Sequence, residues 1–187
     1  MPGVAGHRHE TLPRALDTAT VTALLTGCDR SSPVGLRDFA ILTLMLRLGL
    51  RASEVATLRL EDIDWRAGRI EVHGKGGRRD QLPLPDDVGQ ALVAYLRHGR
   101  AVCTSRAVFL QVRPPVGALS RNAVVMVPRT AARRAGIAVV GAHRLRHTAA
   151  TEMLRAGASL REVAQVLGHH SEQTTSIYAA VDVASLR

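Results

Sequence analysis

Two tyrosines are available as oxygen nucleophiles, and their settings differ. Tyr95 falls on the apolar stripe Val88, Ala91, Leu92, Tyr95, Leu96, which has the spacing of one helix face, and it reads as core. Tyr178 follows Thr174, Thr175 and Ser176 and stands nine positions after His169. By itself Tyr178 has two readings, a packing residue near the C-terminus or a nucleophile. A phenol, with a pKa of about 10, attacks phosphorus only where a base or a strong positive field favours its anion.

Candidates for that field are present. His143 and Arg146 stand at i and i+3, so a helix projects both from one face, where they can reach a common phosphate as negative charge develops on its oxygens. His143 and His147 also have the i, i+4 spacing of a zinc pair, but no acidic or thiol third ligand stands nearby, and no metal is expected. His169 follows Gly168 at a helix stop, where it either caps carbonyls or points into a cleft. Arg51, after Gly49, reads in isolation as a helix-terminal charge.

The basic residues number 25, and Lys75 is the one lysine among them. A lysine on a glycine-rich turn is ordinarily just solvated. A guanidinium, however, does not give up its proton near neutral pH and an ammonium with a lowered pKa does, so a single lysine in an arginine-rich chain is a candidate proton donor.

These residues need elements to position them. Asp17 and Thr18 cap a short helix ending near Gly27, and Ser32 with Pro33 starts a second that runs to about Leu48 and stops at Gly49. Arg51 heads a short helix containing Glu54, Val55 and Leu58. Ile63 and Trp65, Ile70 and Val72, and Leu82 and Leu84 alternate with polar residues and predict a three-stranded antiparallel sheet whose second hairpin tip carries Lys75. Pro85 and Asp86 open the helix of Tyr95, and Ser120 caps one running towards Ala135 that Pro128 should kink or split. A helix from His143 to about Ala156 stops at Gly157, Ser159 and Glu162 form a capping box for the next, and Ser171 caps a last short helix holding Tyr178. The class is α+β, mainly helical with one small sheet.

The whole chain has 187 residues, 46% of them apolar, and a net charge of +9, the composition of one ordinary globular domain. The most apolar stretch, Leu36 to Leu50, is broken by Arg37, Asp38, Thr43 and Arg47, which excludes a membrane span and predicts a buried helix. Two cysteines make no disulfide framework, so a reducing cytoplasm is expected. From Val88 to Thr151 there is no Asp or Glu, while ten arginines fall between Arg97 and Arg146; elsewhere 15 basic residues meet 16 acidic ones. The net positive charge therefore lies in one third of the sequence, which has two readings by charge alone, a face that meets a polyanion or an arginine-rich solvated surface.

Four segments, GLRASEVATLRLEDID around Arg51, HGKGGRRDQLPL around Lys75, HRLRHTAATEML from His143, and LGHHSEQTTSIY to Tyr178, resemble in order and spacing the catalytic domain of the tyrosine recombinases, the phage-integrase family. The resemblance implies that fold over residues 12–187 behind a flexible polar leader at 1–11, with no helical core-binding domain in front. It implies a nucleophilic Tyr178 forming a 3′-phosphotyrosyl link, Lys75 as the acid for the departing 5′ oxygen, and Arg51 and Arg146 on the non-bridging oxygens. His143 would assist proton transfer from the tyrosine, His169 would donate to the phosphoryl oxygens, and Glu54 would support Arg51. Neither metal nor ATP is implied, since the ester stores the bond energy. The implied partners are double-stranded DNA and further copies of the chain, as a tetramer, and the implied setting is the cytoplasm, at the nucleoid, for a bacterial or phage protein.

Two other readings use the same residues. One is a DNA-binding remnant or regulator that keeps the fold without productive strand exchange, and the other is a type IB topoisomerase, which shares the chemistry.

Overall fold

In the computed structural model, the structure describes residues 15–74 and 76–168. The leader at 1–11, Lys75, His169, Tyr178 and the final short helix expected after Ser171 lie outside the described residues.

The chain order is α1 (Thr18–Thr26), α2 (Pro33–Arg47), α3 (Ala52–Thr57), a 3₁₀ turn (Leu60–Asp62), β1 (Ile63–Asp64), β2 (Arg69–His73), β3 (Arg79–Pro83), α4 (Asp86–His98), α5 (Arg121–Arg134), α6 (Ala142–Arg155) and α7 (Leu160–Val166). The expected caps are in place. Asp17, Ser32, Ser120 and Ser159 each accept a backbone N–H of the first turn they precede. Gly49, Gly157 and Gly168 take the left-handed conformation that ends the preceding helix (φ 64°, 95° and 62°).

Helix α2 is the centre of the molecule because it is apolar on nearly all sides. Residues Ala40 to Leu46 are all buried, and the helix touches α1, α3, α4, α5 and α6. Its one buried acid, Asp38, is held by Arg37 at 2.8 Å and by Arg134 of α5 at 3.6 Å. Tyr95 is core, as its stripe predicts: it is 1% exposed, its ring stacks on Phe109 at 5.4 Å, and its hydroxyl accepts the Leu110 N–H at 3.1 Å.

The sheet has the order β1-β2-β3, antiparallel, with Ile70 opposite both Ile63 and Leu82. Ile63, Ile70, Val72 and Leu82 form its buried face. Two expectations are corrected here. Trp65 lies beyond the two-residue β1, 46% exposed on the turn to β2, because the strand ends once its single inward residue, Ile63, is covered. Pro128 does not split its helix: α5 is one element through it, with Val124, Val127, Pro128, Ala131 and Ala132 buried. A proline removes one amide and crowds one carbonyl, and packing of that apolar face holds the rest of the helix.

Candidate functional site

A cleft of about 720 Å³ opens between the start of α3, the β2–β3 hairpin and the end of α7. Arg51 lines it. Glu54, one turn further along α3 and 7% exposed, receives the Arg51 backbone N–H on one oxygen at 2.7 Å and the guanidinium Nη1 on the other at 2.8 Å. A single buried carboxylate thus caps the helix and aims the arginine that starts it.

Arg146, on the buried side of α6, stands beneath the same region and is 6% exposed. Its Nη1 donates to the Gly49 carbonyl at 2.6 Å, and its Nη2 donates to the Leu167 carbonyl. Both acceptors lie at helix C-termini, those of α2 and α7, where carbonyls lack intrahelical partners and the helix dipole favours a cation. Past each of them the chain reaches a candidate residue: Leu50 and Arg51 after Gly49, and His169 after Gly168. Gly49 also lets the segments touch, because a Cβ there would overlap the Leu167 side chain and lie 3.4 Å from the Cβ of Ala149.

His143 is exposed on the first turn of α6, one helical turn before Arg146. That helix starts at Gly141 with no side-chain cap and no acid in its first turn, an N-terminus whose dipole favours an anion. His147 is buried, and its imidazole is held below its ordinary pKa by that burial first, then by the charges of His143 and Arg144. The structure therefore places Arg51 at the cleft, Arg146 behind it and His143 at an exposed helix start. Lys75, His169 and Tyr178 are outside the described residues.

Three residues that line the cleft were not singled out from the sequence: His73, Arg78 and Asp80. Their only signal was membership of the HGKGGRRDQLPL hairpin, and charge alternation in a strand looks like ordinary solvated polarity. His73 Nε2 lies 3.0 Å from Asp62 and 3.7 Å from Glu71. Metal-type ligand atoms of these three sit within 4.8 Å of one another, but Asp62 also caps the 3₁₀ turn through the Arg59 N–H and Glu71 holds Arg79 at 3.0 Å. The group forms an internally bonded ion network.

The acid-free window divides into two kinds of arginine. Arg100 donates to the carbonyls of Ser105, Ala107 and Val108, Arg106 pairs with Glu61 and Arg134 with Asp38, so these are structural. On α5, by contrast, Asn122, Met126, Arg129 and Arg133 recur at i, i+4, i+7 and i+11 as one exposed stripe, with Arg121 exposed beside it. No helix among the described residues is long and apolar enough to cross a membrane.

The phage integrase family model matches residues 14–185. The chain is 47% identical over its whole length to the putative integrase/recombinase y4rA of Sinorhizobium fredii (strain NBRC 101917 / NGR234), of which it spans 46%. Tyrosine recombinase XerD of Mycobacterium tuberculosis is 42% identical over 94% of the chain and 59% of XerD. Among solved structures, XerA recombinase superposes with a TM-score of 0.78 at 26% identity, over 94% of this chain and 61% of that one. XerH bound to a palindromic difH substrate has the same fold, with a TM-score of 0.78 at 24% identity over 94% and 52% of the two chains. The chain thus spans less than two thirds of each of these proteins.

Proposed function

Because the chain belongs to the phage integrase family, we propose that it cuts and rejoins DNA strands in site-specific recombination, with Tyr178 as nucleophile and residues 12–187 as the catalytic domain. The Tyr178 oxygen attacks the scissile phosphorus, the bond from phosphorus to the 5′ oxygen breaks, and a 3′-phosphotyrosyl ester remains. Lys75 gives its proton to the departing 5′ oxygen, and His143 takes up the tyrosine proton. Arg51 and Arg146 stabilise the negative charge on the non-bridging oxygens, and His169 donates a hydrogen bond to them. Attack by the 5′ hydroxyl of another strand reverses these steps, so no external energy source enters.

The observation that carries this reading is the junction at Arg146. One buried guanidinium ties together the chain segment that leads into Arg51 and the segment that leads into His169. In the proposed mechanism Arg51 and Arg146 meet one phosphate, and the junction supports that reading because it fixes Arg146 to the chain just before Arg51.

Double-stranded DNA is the proposed substrate. The exposed α5 stripe supplies Arg129 and Arg133 to its phosphates, and the uncapped start of α6 faces a further anion. Reciprocal exchange between two duplexes breaks four strands, and one tyrosine serves one strand, so four copies assemble at the crossover. The bacterial nucleoid is the corresponding location.

The test uses duplexes carrying a nick a few nucleotides 3′ of the cleavage position, so that the released fragment diffuses away and the ester is trapped. A pool randomised around the nick supplies the site. Members that become linked to the protein in a detergent-resistant adduct are sequenced and resynthesised. The expected result is an adduct with the wild-type chain and none with Tyr178→Phe. Absence of adduct across the pool, with binding to duplex retained, overturns the enzymatic reading in favour of a binding protein.

A further inference from the structure

Strand β3 carries charge where its pattern calls for apolar side chains. Side chains alternate along a strand, and the pairs Ile70 with Leu82 and Val72 with Asp80 put Asp80, together with Arg78 two residues before it, on the face that buries Ile70, Val72 and Leu82. Arg79 and Glu71, on the opposite face, pair with each other at 3.0 Å. Arg78 and Asp80 are instead about seven-tenths buried, at 29% and 28% side-chain exposure, and both line the cleft of Arg51. Burying a charged pair there costs desolvation that an apolar pair would avoid.

The pair repeats the construction at Arg51. Asp80 takes Nε of Arg78 at 2.7 Å and Nη2 at 2.6 Å, both on the same carboxylate oxygen, as Glu54 takes Nη1 of Arg51 at 2.8 Å. In each case a carboxylate holds one edge of a guanidinium. Among the described residues Asp80 is the one side-chain partner of Arg78, and its bonds leave the Nη1 edge of the fork to other acceptors. The two guanidinium groups, each on its carboxylate, approach one point: the position a Cβ on Gly168 would occupy lies 3.6 Å from Nη2 of Arg78, 3.6 Å from Oδ2 of Asp80 and 3.9 Å from Nη1 of Arg51. Gly168 has no side chain to fill that point, and among the described residues no other side chain comes closer than these; His169 follows it in sequence. The hairpin is closed just behind it, where the Gly74 N–H donates to the Arg78 carbonyl at 2.8 Å.

We propose that Arg78, aimed by Asp80, is a further guanidinium for the DNA phosphate that Arg51 holds. Arg78 is then a phosphate-binding residue and Asp80 a positioning one. The inference rests on the recombinase reading above.

The test compares adduct formation on a selected nicked duplex with a phosphodiester at the cleavage position and on the same duplex with a methylphosphonate there, which removes the charge a guanidinium would meet. Arg78→Ala is expected to slow the phosphodiester reaction by about 100-fold, the scale of one lost transition-state donor, and the methylphosphonate reaction by less than about 10-fold. Asp80→Asn keeps the arginine charge and loses its aim, so cleavage slows while affinity for a generic duplex is undiminished. Equal slowing of Arg78→Ala on both substrates, or no slowing on either, overturns the proposal while leaving the recombinase reading intact. A wild-type chain that forms no adduct overturns that reading and this inference with it. Should Arg78→Ala lower the melting temperature, Arg78→Lys takes its place: it keeps charge without the fork and is expected to show the same, smaller, difference between substrates.

Discussion

The guanidinium of Arg146 donates to the carbonyl of Gly49 across 97 residues of sequence, at 2.6 Å and in a buried position. With its second bond, to Leu167, it closes the C-termini of α2 and α7 on one cation. Arg146 is therefore structural as well as a proposed phosphate ligand. Arg146→Lys supplies charge but lacks the two Nη groups that reach the two carbonyls from one planar fork. We expect it to lose about 1–3 kcal/mol of stability, the cost of a buried acceptor left without its donor. A lowered melting temperature together with lost adduct is the expected pair of readings; lost adduct at an unchanged melting temperature would contradict the structural role.

Gly49 and Gly136 share a left-handed φ, 64° and 66°, but only Gly49 faces other atoms. Gly136→Ala meets nothing within 4 Å among the described residues, so it should cost only the backbone strain, about 1–2 kcal/mol. Gly49→Ala adds a clash with a terminal methyl of the buried Leu167 side chain, which must shift, so it should cost more than Gly136→Ala. Urea unfolding of the two variants measures the difference, and equal losses would mean that the approach of α7 at Gly49 is not tight.

His147 sets a pH response. Its imidazole is held below the ordinary 6.5, by burial first and then by the charges of His143 and Arg144. As pH falls through 6.5 the unfolded chain takes up this proton before the folded one does, so the stability is complete above that value and is lost as pH drops towards the lowered folded value. The melting temperature of the wild-type chain should fall more steeply between about pH 7 and about pH 5 than that of His147→Gln. Parallel curves would remove His147 from the acid response.

Lys75→Ala should slow adduct formation severely on an ordinary phosphodiester and recover most of it when the departing 5′ oxygen is replaced by sulfur, since a thiolate leaves without a proton. Failure of the sulfur substrate to rescue the variant excludes Lys75 as the acid.

The arginines of the acid-free window should separate by salt dependence. Arg129→Ala and Arg133→Ala, exposed on α5, should each lower the slope of log K against log salt by about one, with stability unchanged. Arg100→Ala, which strips three carbonyls of their donor, should instead lower the melting temperature. A slope unaffected by Arg129 and Arg133 would place the DNA elsewhere.

Sequence alone determined the local elements and named the candidate residues of the proposed site. Caps such as Ser32 with Pro33 and Ser159 with Glu162, the stop at Gly49, and the strand alternation at Ile70 and Val72 act over a few residues, so their outcome is written in neighbouring positions. Arg51, Lys75, His143, Arg146, His169 and Tyr178 could be chosen by type and by motif for the same reason. Tertiary structure decided what each charge is for. Nothing near Arg100 in sequence says that it serves carbonyls of a loop, nothing near Arg146 says that two distant helix ends rest on it, and the polar-looking Arg78 and Asp80 become cleft residues only once α3 and α7 stand opposite their strand. A guanidinium is equally at home in water, on a carbonyl or on a phosphate, and which it meets depends on partners brought close by packing of the α2 core rather than by the chain's own order.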